Sequence, residues 1–118
     1  MIWYTIKNAQ LVTTNNFPLI TRGWGNGYVA VPPSHCMHGI HYDRLYYLFK
    51  DRPNQISVNG GLTYSNFGDG EHAPKNWWVF GFDTAHLGDT IEKWPKEAVE
   101  AETKRLFCQL LDIELGGL

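Results

Sequence analysis

The sequence predicts a small α+β domain: an antiparallel or mixed β-sheet with one long C-terminal helix and a short middle helix packed against it. Three observations predict this. Residues 77–82 are apolar at every position except Gly81, as in a central strand covered on both faces. Beyond Pro95, the residues Val99, Thr103, Leu106, Leu110 and Ile113 recur at three-four spacing, the signature of an amphipathic helix. Leu45, Leu48 and Phe49 fall on one face of a shorter helix over residues 42–49.

In chain order, Ile2, Trp3, Tyr4 and Ile6 suit a short strand. Residues 15–16 suit a turn, and residues 17–21 suit a second strand interrupted by Pro18. Gly23, Gly25 and Gly27 permit a tight turn or a close backbone approach. Residues 28–31 read as a buried strand ended by Pro32 and Pro33. Residues 34–43 form a loop with His35, His38 and His41. Ile56 and Val58 alternate with polar neighbours, a half-buried strand pattern, before a kink or bulge at Gly60 and Gly61, with the strand expected to continue over residues 62–65. The polar residues 66–76 read as a long hairpin loop. Pro95 at the first turn, early glutamates, and Gly116 and Gly117 at the end bound a final helix of about 18 residues.

The chain has 118 residues and reads as a single domain, 1–118. Its formal net charge of −2 and lack of any Lys/Arg run argue against duplex nucleic acid as a partner. No apolar stretch approaches the ~20 residues of a membrane span, and the N-terminus lacks a basic leader region, so a cytoplasmic protein with no membrane partner is expected. Cys36 and Cys108 form no CxxC pair; free thiols are the simplest reading.

One combination of motifs carries a resemblance. It comprises Gly60-Gly61-Leu62-Thr63-Tyr64-Ser65, then Trp77-Trp78, then Gly81-Phe82-Asp83-Thr84-Ala85-His86-Leu87-Gly88-Asp89. With Gly27-Tyr28-Val29, Pro33-Ser34-His35 and Tyr42-Asp43 upstream, this resembles a family of small phage and prophage proteins over roughly residues 24–112. The resemblance implies a phage-type accessory protein in the cytoplasm of an infected host cell. It brings no activity with it. The chain departs from the family pattern at Asn59, where His is usual, and at His38, where an aromatic residue is common. An obligatory metal ligand at either position would not tolerate the exchange.

The polar groups allow several chemistries. His35, Asp83, His86 and Asp89 offer imidazole and carboxylate donors for a metal-dependent hydrolase acting on a nucleotide or similar phosphorylated substrate. Ser34 or Ser65 with His86 and Asp83 would make a nucleophilic triad, but no GxSxG elbow is present, and Cys36 lies too close to His35 in sequence to face it well. The favoured reading is non-enzymatic capture of a small polar ligand, a nucleotide, without a cofactor. In it Trp24, Tyr64 and Trp78 stack on the base, and His35, Asp83 and His86 supply polar recognition. Asp89 orients His86, and Arg22, Arg44 or Lys75 meets phosphate. Sequestration of a cyclic-nucleotide immune signal would then evade host defence. Homo-oligomerisation would supply the depth that a small domain lacks. A further alternative is protein–protein inhibition of a host defence enzyme, through Phe67 and Trp94 or the acidic residues Glu92, Glu97, Glu100 and Glu102.

Overall fold

Four strands and two helices follow one another as β1 (Ile2–Lys7), β2 (Gly25–Val31), α1 (Tyr42–Phe49), β3 (Tyr64–Phe67), β4 (Trp78–Phe82) and α2 (Lys96–Gly116). The computed structural model describes residues 1–8 and 22–116. The turn at 15–16 and the strand expected over 17–21 lie outside the described residues. The strands form one sheet in the order β1-β2-β4-β3, and every neighbouring pair is antiparallel. The architecture is α+β, with the long helix at the C-terminal end.

Strand alternation decides the two faces. Trp3, Val29, Val31, Trp78, Phe80 and Phe82 point to the side on which α2 lies, where they meet Val99, Leu106, Leu110 and Ile113. These α2 residues and Thr103 are fully buried, as their spacing requires. Each aliphatic side chain withdrawn from water here contributes on the order of 1.5–3 kcal/mol. Thr103 is tolerated in the stripe because its hydroxyl donates to the Val99 carbonyl at 2.7 Å. Gly27 lies opposite: a Cβ there would collide with the Thr103 hydroxyl and the Phe82 ring, so the missing side chain lets helix and sheet approach. α1 closes the same core with Leu45 and Phe49.

One local expectation narrows and one changes. The glycines at 25 and 27 lie within β2, with Gly25 against the Ile6 carbonyl, so they serve close approach and not a turn. Residues 56–58 are not a strand. Val58 is buried as its alternation predicts, but the surrounding backbone bonds to side chains of α2. β4 is an inner strand covered on both faces, and a smaller cluster of Ala30, Ala73 and Val79 packs on the side away from α2. Residues 68–76 form the expected hairpin loop between β3 and β4, starting two residues later because β3 runs through Phe67. They fold back over this second face, where His72 stacks on Tyr4 at 4.8 Å between ring centroids. Among the described residues no helix is long and apolar enough to cross a membrane.

Candidate functional site at the end of β4

β4 delivers the chain directly into a turn that binds its own polar side chains. The Asp83 carboxylate accepts the Ala85 N–H at 3.1 Å, and the Asp89 carboxylate accepts the His86 N–H at 3.0 Å. Gly88 takes φ +90°, which lets the Asp89 N–H return to the His86 carbonyl at 2.9 Å. The three-residue spacing of these polar groups therefore serves a loop, not a helix face. His86 ends up between the carboxylates: Nδ1 lies 3.0 Å from Asp89 and Nε2 lies 3.4 Å from Asp83. Asp89 is 6% exposed, whereas the His86 and Asp83 side chains keep about a third of their surface.

The buried carboxylate is held from the other side by Asn59, whose amide Nδ2 donates to both Asp89 oxygens at 3.2 and 3.3 Å. Gly60, at φ +69°, lies under the imidazole, and any Cβ there would occupy the ring's place. This support is fixed by α2. The Asn59 N–H donates to Glu102 at 2.8 Å and the Ser57 N–H to Gln109 at 2.7 Å, while the Ser57 carbonyl accepts from Arg105 at 2.6 Å. Arg105 also bonds Glu102 at 2.7 Å, so Glu102 and its neighbours are a clasp for the 57–59 segment and not merely a solvated acidic face.

Asp83 shares the sheet face away from α2 with Gly81, and Tyr28 and Tyr64 flank Gly81 on the adjacent strands. The Tyr28 ring fills the space that a side chain at Gly81 would take. A row of rings crosses this face. His72 stacks on Tyr4, Tyr4 stacks on Tyr28 at 5.1 Å, and Tyr64 meets Tyr28 edge-on at 5.4 Å. Burial, then the Asp69 charge, pushes the Tyr4 phenol far above its ordinary value; burial and, more weakly, Tyr64 and Asp83 push Tyr28 up too. At the far end of the row, Asp69 is held well below the usual carboxylate range, first by its 2.6 Å bond to His72 and then by backbone N–H groups.

The sequence-predicted residues divide into two groups. Tyr64, Asp83, His86 and Asp89 lie together at this end of the sheet. Trp24 and Trp78 belong to the core under α2; the Trp78 indole donates to the Ile40 carbonyl at 2.9 Å, and the Lys96 ammonium sits 5.8 Å from the Trp24 ring centre. They present no ring to the Tyr64 face. His35 is at the opposite end: it follows β2, Asp83 follows β4, and the two strands are antiparallel over five paired residues, roughly 14 Å of chain. The proposed metal set of His35, Asp83, His86 and Asp89 is therefore not assembled.

The triad fails for a similar reason. Ser65 faces the α2 side and accepts the Tyr42 N–H at 3.1 Å, and both His86 nitrogens face carboxylates. Burial and Glu114 push the Cys36 thiol up, which makes it a poor nucleophile. The three loop histidines diverge: His35 is buried against α2, His38 meets the Asn76 carbonyl at 2.8 Å, and His41 caps α1.

Sequence reasoning gave no site role to Tyr4, His72 or Asn59. Only the strand register, with Tyr4 opposite Tyr28 and Tyr28 opposite Gly81, reveals the ring row. Comparison with protein-family models, with curated proteins and with solved structures returned no match.

Proposed function

We propose that the protein is a non-catalytic binder of a small polar ligand with a planar ring, a nucleotide, taken up where the aromatic row meets the Asp83–His86 end of the sheet. One observation carries this reading: an aromatic row whose end ring, Tyr64, is exposed runs into a carboxylate and an imidazole, each about a third exposed, whose geometry is already fixed by Asp89, Asn59 and Gly60. Tyr64 provides the stacking surface, with Tyr28 behind it. Asp83 accepts hydrogen bonds from an exocyclic amine or a ribose hydroxyl, and Asp89 orients His86. Exposed Arg22 precedes Gly23, whose N–H bonds the Thr84 carbonyl at 2.8 Å, so a cation for phosphate lies at the same end. Binding is favoured over turnover because the His86 nitrogens are spent on carboxylates and no hydroxyl or thiol nucleophile has a described contact with it.

The resemblance to small phage proteins suggests the biological use, sequestration of a signalling nucleotide, (cyclic) in form, inside an infected host cell. A homo-oligomer would deepen the shallow face. The test is a nucleotide panel read by calorimetry and by recovery of the ligand. A nucleotide that binds and returns intact, with affinity lost at least tenfold in Asp83→Ala and Tyr64→Ala, supports the reading. Recovery of a cleaved product refutes the non-catalytic role, and no binding by any nucleotide refutes the ligand class.

Leu87 favours a second reading. It is fully exposed between His86 and Gly88 on an ordered turn, a position suited to anchoring a protein partner such as a host defence enzyme. If Leu87→Ala abolishes the biological effect while Asp83→Ala leaves it intact, surface inhibition replaces nucleotide capture.

A further inference from the structure

His35, Cys36 and Glu114 bring an imidazole nitrogen, a thiol and a carboxylate within 4.8 Å of one another, at the end of the sheet away from Asp83. The histidine is oriented by the helix. Its Nε2 lies 2.9 Å from the Leu110 carbonyl, which can only accept, so the proton is on Nε2 and Nδ1 carries a lone pair. That lone pair takes the Met37 N–H at 3.0 Å, and a Glu114 carboxylate oxygen lies 3.6 Å from the same nitrogen. Two acceptors at this separation, with no proton between them, match the bite of two ligands on one cation. Leu110 and Glu114 are one helical turn apart, so a single strip of α2 both sets the tautomer and supplies the carboxylate. A carbonyl behind a ligating histidine is the usual second partner of such a ligand.

We propose that His35 Nδ1, Cys36 Sγ and a Glu114 oxygen form a zinc site that clips the 35–37 turn to the last turns of α2. Mixed nitrogen, sulfur and oxygen donors suit a borderline-soft divalent ion, and three protein ligands leave the fourth tetrahedral position to water. On binding, bonds form from Nδ1, Sγ and the carboxylate oxygen to the ion, and the thiol proton leaves to solvent. The ion displaces the Met37 N–H from the Nδ1 lone pair, so metal binding turns this amide away from the ring. The Cys36 N–H bond to Glu114 at 2.9 Å holds the carboxylate against the turn, leaving its other lone pairs for the metal. The site is independent of the ligand face and of its chemistry.

The experiment uses the full chain, produced without a histidine tag and treated with chelator. Titration with Co²⁺ is followed by absorption, and Zn²⁺ by competition and thermal shift. The expected result is one ion per chain with a thiolate-to-cobalt charge-transfer band, a Zn²⁺ dissociation constant of about micromolar or below, and a raised melting temperature. Cys36→Ser removes the band and Glu114→Gln weakens affinity at least tenfold, whereas Cys108→Ser leaves both unchanged. His35 is buried, so its replacement is not needed for the test. A band that survives Cys36→Ser, a band lost in Cys108→Ser, or no saturable binding overturns the proposal.

Discussion

Replacing Asp89 by Ala is the sharpest perturbation of the β4 turn. The carboxylate is 6% exposed and receives the His86 N–H, the His86 ring at Nδ1 and the Asn59 amide, at 3.0 to 3.3 Å. A hydrogen bond to a charged group contributes about 1.5–3 kcal/mol, and an abandoned buried donor costs a similar amount. Water reaches His86, whose side chain is 33% exposed, so its donors recover part of the loss. The Asn59 amide and the His86 N–H recover less. The expected destabilisation is about 2–3 kcal/mol. In urea, with a slope of about 1.3 kcal/mol per molar, the midpoint falls by about 2 M at unchanged slope. Asp89→Asn preserves the shape but turns an NH₂ toward donors, and costs about 1–2 kcal/mol. A double-mutant cycle with Asn59→Ala yields a coupling of about 1 kcal/mol, because the two residues bond directly. If Asp89→Ala lies within about 0.5 kcal/mol of the parent, or acts on the slope and not the midpoint, Asp89 does not hold this turn.

Two further outcomes follow from the same geometry. Gly60→Ala, with φ +69° and the imidazole in the way of a Cβ, costs about 2 kcal/mol or more and displaces His86. Gly61→Ala, with φ +79° but open space around the Cβ, pays only the backbone strain of about 1 kcal/mol; comparing their denaturation midpoints separates collision from strain. On the alkaline side, the folded Tyr4 phenol titrates above its ordinary 10.0 because burial, then Asp69, disfavours phenolate. The unfolded chain therefore loses that proton first. The contribution is fully present below about pH 10 and is lost as pH rises toward the folded value, so stability falls there and less so in Tyr4→Phe. A spectrophotometric titration in which all tyrosines ionise together near pH 10 refutes this.

The elements that sequence reasoning located are those whose cause is local. The stripe from Val99 to Ile113 and the face shared by Leu45 and Phe49 repeat with the helix itself, and the apolar run of β4 marks an inner strand without knowledge of its neighbours. Residues 56–58 show the limit. Alternation identified the buried Val58, but the partners of the flanking backbone are Glu102, Arg105 and Gln109, distant in sequence, and no periodicity reports them. The glycines of β2 likewise signal crowding by Ile6, Thr103 and Phe82, which only the assembled layers create. In the site, Asp83, His86 and Asp89 were readable together because one turn carries them. Grouping His35 with them failed because strand direction, not spacing, decides which end of the sheet a residue occupies. Trp24 and Trp78 were indistinguishable from Tyr64 as candidate stacking rings; register assigns Trp78 to the covered face, and Trp24, just before β2, is placed there by its packing against the core.

The clasp between α2 and residues 57–59 has a consequence for amide exchange. Ser57 and Asn59 rest their N–H groups on the Gln109 and Glu102 side chains and not on a neighbouring strand. A rotamer change at either acceptor releases an amide while every strand stays paired. These two amides therefore exchange with solvent through inexpensive local openings, while those of β4 and central α2 wait for events that approach global unfolding. Since Asn59 and Gly60 form one wall around His86, that wall can open and close on its own clock, and the rest of the protein need not move with it.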